Sequence, residues 1–137
     1  DPCSNDRSII RARTAYQQGG LVLPWGITTY ENDPFSKTAT WTEKAIAEMR
    51  CGRVRELVRL TMASTSALWW RRQCLVPRRN PRLIFTKRLQ FIDPFAEGDG
   101  EVRAGSRFEP VLSYCGPRVR QFERCFRAIT MWVSWGR

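Results

Sequence analysis

The chain has no histidine and only three lysines among its 137 residues. Histidine is the usual general base and the commonest metal ligand, so its absence removes the most frequent arrangements for catalysis and metal binding. No run of about 18 apolar residues is present, so no conventional membrane-spanning helix is predicted. No two cysteines have the C-x2-C spacing typical of zinc sites. We therefore expect a protein that is not an enzyme and that has no cofactor, no metal ion and no small-molecule substrate.

Positive charge dominates what is present. Twenty arginines and three lysines face 13 acidic residues, which gives a net charge of +10. Such a chain is expected to bind a polyanion, an anionic membrane surface or acidic protein partners. Arginine in place of lysine favours fixed bidentate or stacked contacts, although an arginine-rich codon usage explains the composition equally well. Six tryptophans are many for a small basic protein, and tryptophan is enriched at interfaces and membrane boundaries.

The longest periodic pattern predicts an amphipathic helix over about residues 41–74. Apolar residues recur at every third or fourth position along it. Thr40 and Glu43 have the spacing of a capping box at its start. Gly52 predicts a break, because a glycine inside a helix costs about 1 kcal/mol relative to alanine.

A second amphipathic helix is predicted over about residues 117–135. Val119, Phe122 and Phe126 begin its apolar stripe, which arginines face from the opposite side. We therefore predict a mainly α fold in which the two helices pack as an antiparallel pair. Long irregular arms surround them, with a short hairpin near residues 83–92.

The domain organisation follows from these boundaries. Residues 1–39 are predicted to be an extended N-terminal arm, and residues 40–137 a single small helical domain. A basic and glycine-rich connection over residues 75–116 joins its two helices. Irregular sequence exceeds half the chain, so we expect much of its order to depend on neighbouring molecules.

Two groups of residues are predicted to meet lipid or a protein partner. Adjacent tryptophans and arginines end the first predicted helix, where they are typical of an interfacial anchor or of cations at the negative end of a helix dipole. Three arginines of the second helix lie opposite its apolar stripe, so they face solvent or an external anion. The residues concerned are Trp69, Trp70, Arg71, Arg72, Arg120, Arg124 and Arg127.

An alternative set of residues points to RNA. No acidic residue occurs between Leu57 and Ile92. Basic residues interleaved with aromatic ones are typical of surfaces that bind single-stranded nucleic acid, although no recognised RNA-binding signature accompanies them. The residues of this alternative site are Arg78, Arg79, Arg82, Phe85, Lys87 and Arg88.

The chain has five cysteines, an odd number that leaves at least one thiol without a partner in the chain. Nine residues separate Cys115 from Cys125. This spacing resembles one half of the twin C-x9-C pattern of mitochondrial intermembrane-space proteins, but the second half is missing and coincidence is the favoured interpretation. The two could not bridge each other along a helix, because ten residues rise about 15 Å. Any disulfide is expected to join each of them to another segment or to another chain.

These observations give a leading hypothesis and an alternative. The leading hypothesis is a non-catalytic accessory subunit of a large organellar assembly, such as a respiratory-chain or ATP synthase complex, peripheral to the mitochondrial inner membrane. It would bind neighbouring subunits and anionic phospholipid. The initial residue Asp1, in place of methionine, would fit removal of a targeting segment. The alternative is an RNA-binding protein of a mitochondrial ribosome.

Overall fold

A computed structural model describes residues 1–4, 8, 10–74, 81–87, 89 and 109–133. It shows a mixed α/β protein built on a five-stranded sheet, so the prediction of a mainly α fold is wrong. A short 3-10 helix at Phe35–Lys37 precedes the first α-helix. The other elements, in chain order, are β1 (Thr28–Glu31), α1 (Thr38–Arg50), β2 (Glu56–Met62), α2 (Leu68–Cys74), β3 (Arg82–Phe85), β4 (Pro110–Cys115), α3 (Val119–Phe126) and β5 (Thr130–Val133).

The strands lie in the order β1-β2-β4-β3-β5. β1 runs parallel to β2, and each of the other neighbouring pairs is antiparallel. β1 and β5 are therefore the two edge strands of the sheet that the described residues form. The segment predicted as an extended N-terminal arm thus supplies one edge of the sheet.

Helices cover both faces of this sheet. On one face, Trp41 and Ile46 of α1 pack with Trp25 and with Leu57 of β2. On the other face, Phe122 of α3 packs in a second cluster. Since α1 and α3 lie on opposite faces, the predicted antiparallel helix pair is wrong. The second cluster consists of Leu60, Leu83, Leu112, Tyr114 and Phe122.

The first predicted helix is real between Thr38 and Arg50 but ends there. Gly52 has a positive φ of 78°, and the N–H groups of Cys51 and Gly52 close the last turn on the carbonyls of Ala47 and Met49. A left-handed residue that glycine adopts without strain terminates the helix. Gly52 is therefore a stop signal and not a break within a longer helix. The predicted capping box is also wrong, because Lys37 occupies the N-cap position and makes no side-chain cap bond.

The stretch after this stop is a strand because the sheet buries it on both sides. Leu57, Arg59 and Thr61 face α1, whereas Val58 and Leu60 face the opposite way, as alternation in a strand requires. A strand that is covered on both faces has apolar residues on both, and their spacing can match a helix by accident. Only Leu68–Cys74 of the remaining predicted helix is helical.

The second predicted helix is shorter than its pattern. The stripe of Val119, Phe122 and Phe126 is confirmed, but α3 ends at Phe126 and Thr130–Val133 forms β5. Thr130 Oγ1 donates to the Phe126 carbonyl (2.8 Å), and the following β-branched and aromatic residues favour a strand.

The hairpin predicted near residues 83–92 is wrong: Arg82–Phe85 is a strand, but other strands occupy both of its sides. β3 pairs with β4 and with β5, on either side of it. Residues 88 and 90–92, which would have formed most of the partner strand, lie outside the described residues.

Candidate functional site

A groove of about 820 Å³ opens beside the edge strand β1. Residues 1–2 and 10–14 form one wall, and residues 24–30 form the other. Arg11 and Arg13 bring positive charge to the first wall, while Tyr16 and Tyr30 bring aromatic surface. Its volume lies within the range of about 300–1,000 Å³ that is usual for ligand sites.

Hydrogen bonds hold the first wall in place. Asp1 N donates to the Thr14 carbonyl, and Tyr16 N donates to the Asp1 carbonyl; each of these two bonds is 2.9 Å long. The Tyr16 hydroxyl donates to the Pro24 carbonyl across the chain (2.8 Å). These three bonds join Asp1 to residues 14–16 and fasten Tyr16 to the loop that leads into β1.

The lack of a side chain at Gly20 lets Pro2, in the first wall of the groove, pack close to the protein core. A Cβ atom at this position would lie 1.9 Å from the Pro2 carbonyl oxygen and 2.9 Å from the Trp41 ring, so no larger residue fits without movement. The indole N–H of Trp25 donates to the Gly20 carbonyl (2.7 Å), and the rings of Trp25 and Trp41 stack with centroids 6.2 Å apart. The groove therefore depends on the close approach at Gly20.

The strand β1 turns unused main-chain groups toward this groove. Arg55 N and Glu56 N both donate to the Ile27 carbonyl, which therefore points toward β2. In a parallel pair, the main-chain groups of alternate residues point to the neighbouring strand, and those between them point away. The N–H and C=O groups of Thr28 and Tyr30 thus face outward. Within the part of the chain that the structure describes, no hydrogen bond reaches these outward groups.

A buried ion cluster lies beneath β1, on the face that α1 covers. Glu31 is fully buried opposite its cross-strand partner Arg59, and the two form an ion pair. The Arg59 guanidinium also donates to Asp33 Oδ1 (3.4 Å) and to Thr42 Oγ1 of α1 (3.1 Å). One buried arginine therefore connects β2 with β1, with the residues after it and with α1.

The cluster contains two carboxyl groups for one guanidinium. Burial raises the pKa of Glu31 to about 7; Arg59 opposes this shift and Asp33 adds to it. Burial likewise raises the pKa of Asp33. Cys3 lies nearby, and burial, followed by Glu31 and Asp33, raises the pKa of its thiol well above the ordinary value. Such a thiol is a poor nucleophile at neutral pH.

A second arginine is buried in the same cross-strand row. The row runs from Glu31 through Arg59 and Ser113 to Arg82. Arg82 is 2% exposed, and its guanidinium lies 4.3 Å from the centre of the Trp70 ring. A cation over an indole ring is attracted to it. Trp70, predicted to meet lipid or a partner, and Arg82, predicted to meet RNA, thus contact each other inside the protein.

The other residues predicted to meet lipid or a partner fall into two separate places. Trp69 packs edge-on against Trp70, Arg71 donates to the Ser66 carbonyl (3.2 Å), and Arg72 pairs with Glu43 of α1. Arg120, Arg124 and Arg127 are exposed on and just after α3. The structure does not bring the two groups together, because α2 contacts α1 while α3 covers the opposite face of the sheet.

The alternative RNA site is described in part. Phe85 packs against the second core cluster, and Lys87 is exposed. Arg78, Arg79 and Arg88 lie outside the described residues.

The thiols of Cys115 and Cys125 are both free in the structure, and a disulfide to another chain stays a prediction. Cys115 is buried in β4, where burial raises the pKa of its thiol to about 11, whereas Cys125 is exposed on α3. Among the described residues, no group of three or more metal-ligating side chains could hold an ion, and no helix is long and apolar enough to span a membrane.

Sequence analysis missed the groove. Arg11 and Arg13 belonged to a segment interpreted as an arm, and the outward edge at Thr28 and Tyr30 was not foreseen. The β-branched and aromatic run Ile27–Tyr30, which follows Pro24-Trp25-Gly26, was the available signal for a strand.

Comparison with known protein families, curated proteins and solved structures finds no match to this chain.

Proposed function

We propose that this protein is a non-catalytic accessory subunit that binds neighbouring proteins in a larger assembly, through the surface around the groove. One observation carries the proposal. Of the seven large apolar side chains that are exposed among the described residues, two line the groove and two more belong to the turn that precedes its second wall at Pro24. Clustered apolar exposure is typical of interaction sites, whereas scattered exposure is ordinary. The four are Ile10 (44% exposed), Val22 (82%), Leu23 (42%) and Ile27 (64%).

The charges around this surface support a protein partner of acidic character. Arg11 and Arg13 line the groove together with Ile10 and Ile27. Arginine beside apolar and aromatic surface is the composition enriched at protein interfaces. The net charge of +10 would speed association with an acidic surface.

The proposed assembly is the one that the sequence favours, a respiratory-chain or ATP synthase complex of the mitochondrial inner membrane. Its support is the arginine-rich charge, which suits acidic subunits and anionic phospholipid. The exposed arginines of α3 would serve the lipid contact, because they lie away from the core that Phe122 joins. A peripheral position at the membrane surface is part of this proposal.

Site-specific photo-cross-linking in the native organelle tests this function. A benzophenone amino acid is placed at Val22 (82% exposed) and, as a matched control, at the exposed Gln121 of α3. We expect Val22 to form an adduct with one protein subunit, and the adduct to migrate with detergent-solubilised inner-membrane complexes on native gels. Gln121 should not form that adduct.

Two results would overturn the proposal. Equal adducts from Val22 and Gln121 would show that the surface around the groove is not selective. Adducts that disappear with ribonuclease and sediment with ribosomal particles would replace the accessory subunit by the RNA-binding alternative.

A further inference from the structure

We propose that the groove binds an extended acidic peptide, which adds to the sheet as a further strand alongside β1. The inference rests on the proposed function, because the peptide would be a segment of the partner protein. It specifies the chemistry of that segment and the way in which it is held.

The main-chain groups of β1 give the mode of binding. The N–H donor and C=O acceptor of Thr28 and of Tyr30 point away from β2, in the plane of the sheet, and both residues line the groove. An extended chain in the groove would meet these groups at the spacing of a ladder, since strands pair at about 4.8 Å. Peptides that extend a sheet in this way gain affinity from main-chain hydrogen bonds and specificity from alternate side chains.

The charges of the opposite wall give the chemistry of the peptide. Arg11 and Arg13 are both exposed and line the groove. Among the described residues of this lining, Asp1 supplies the one carboxylate, and its Oδ1 accepts a hydrogen bond from Cys3 N (2.9 Å). Two exposed arginines therefore border the space in which the peptide would lie, and acidic side chains would complement their charge.

The apolar residues give the second component of the specificity. Ile10 and Ile27 line the same groove and are 44% and 64% exposed. Because side chains of an extended peptide alternate, one set can meet the arginines while the other covers the isoleucines. Apolar and acidic residues in alternation are thus the expected sequence.

The length and rigidity of β1 complete the description. Four strand residues span about 13 Å, enough to pair with about four peptide residues. The Glu31–Arg59 ion pair and the hydrogen bond from Thr29 Oγ1 to the Gly26 carbonyl (2.8 Å) hold β1 from its other side. A strand that is already ordered loses little entropy when a peptide binds.

Fluorescence anisotropy with defined peptides tests the inference on the full chain. The probe is a labelled seven-residue peptide with the sequence Glu-Val-Asp-Val-Glu-Val-Asp, and the comparison peptide carries lysine at each acidic position. Two further probes carry N-methyl groups on the amides of the odd or the even residues. We expect the acidic peptide to bind, the lysine peptide to bind at least tenfold more weakly, and one of the methylated peptides to lose binding while the other retains it. An added strand produces this alternation, because only every second peptide N–H faces β1.

Substitutions of Thr28 in the protein test the same main-chain hydrogen bonds between the peptide and β1. Thr28→Pro removes the outward N–H, and Thr28→Val removes the hydroxyl, which lies 3.4 Å from Glu56, but keeps the N–H. The proline variant should bind the acidic peptide about fivefold more weakly than the valine variant, the usual effect of one lost hydrogen bond. Circular dichroism of the two variants establishes that both are folded.

Charge reversal tests the arginines. Arg11→Glu with Arg13→Glu should weaken binding at least tenfold at low salt. Arg120→Glu with Arg124→Glu, on the exposed side of α3, makes the same change in net charge and should leave the affinity within twofold.

The inference is wrong if both methylated peptides bind as the parent does, or if the lysine peptide binds as tightly as the acidic one. Equal affinities of the Thr28→Pro and Thr28→Val variants would also contradict it. These results leave the proposed function to be judged by the Val22 adduct alone. Conversely, peptide binding without any Val22 adduct would support the peptide site and contradict the accessory-subunit function.

Discussion

Raising the pH from about 5 to about 8 should destabilise this protein, because Glu31 is buried with too little positive charge around it. Glu31 and Asp33 share the single guanidinium of Arg59. Burial raises the pKa of Glu31 to about 7, against an ordinary value of 4.5. Between these two values the folded protein holds a proton that the unfolded chain has released.

The sign and the magnitude follow from this difference. Stability falls with rising pH wherever the folded state binds more protons than the unfolded state. The stabilisation is complete below about pH 4.5 and is lost as the pH rises through about 7. Each pKa unit corresponds to about 1.36 kcal/mol, so the free energy of unfolding should decrease by an amount on the order of 3 kcal/mol over this window.

Urea unfolding at pH 5, 6, 7 and 8 measures the effect, with Glu31→Gln as the comparison. The chain has no histidine, so few other side chains titrate in this range. The amino group of Asp1 does titrate; burial lowers its pKa, and it acts in the opposite direction in both proteins. In the glutamine variant, one guanidinium balances one carboxylate, so its stability should change much less with pH. Wild-type protein that is equally stable at pH 5 and pH 8, or an unchanged slope in the variant, would refute the reasoning.

Two further substitutions test the packing. Gly20→Ala places a Cβ atom against the Pro2 carbonyl and should detach the N-terminal wall of the groove. We expect faster hydrogen exchange over residues 10–16 and loss of peptide binding. Gly26→Ala is the control: its new Cβ atom has nothing within 4 Å, so it should retain both slow exchange and binding. Phe122→Ala should lower the free energy of unfolding by about 3–5 kcal/mol in urea titrations, because the ring is 6% exposed and stacks on Tyr114 with centroids 4.9 Å apart. The matched control on α3, Arg124→Ala, should change it by less than about 0.5 kcal/mol, and equal effects of the two would contradict this description of the core.

Sequence reasoning succeeded where one face of an element alone is buried. α3 presents a single apolar stripe; its start was predicted to within two residues, and Val119, Phe122 and Phe126 were correctly predicted to face the core. β2 is covered on both faces, so it has no polar side that would show a period of two. Its apolar residues at every third position therefore extended the predicted helix across Gly52, although that glycine marks the end of α1.

The groove could not be predicted because it is a product of tertiary contacts. Its first wall is fixed by the hydrogen bonds of Asp1 and Tyr16 and by the close approach of Pro2 to Gly20. None of these contacts leaves a periodic trace in the sequence. The strand itself could have been found from Ile27–Tyr30, but its position at an edge depends on the pairing of β1 with β2.

The burial of two arginines also could not be predicted from the local composition of the sequence. Arg59 and Arg82 lie in the acid-free stretch that suggested a nucleic-acid surface. Both are interior residues in the folded chain. The carboxylates that balance Arg59 come from residues 26 and 28 positions earlier, and the Trp70 ring lies over Arg82. Counting charges along a short stretch of sequence does not reveal partners that are distant in the chain and that the sheet brings together.

The ion cluster and the groove are two consequences of one short strand. Alternate side chains of β1 point in opposite directions, so those of Thr29 and Glu31 are buried on the face that α1 covers, whereas those of Thr28 and Tyr30 are more exposed and border the groove. The same alternation turns the main-chain groups of Thr28 and Tyr30 away from β2. Four residues are enough to form both the ion cluster and the groove edge. The ion pair of Glu31 with Arg59 holds the buried side of the strand, and the outer edge has no main-chain partner among the described residues. An edge held in this way can accept a further strand without rearranging, which is why we assign the peptide-binding role to β1 and not to the exposed arginines of α3.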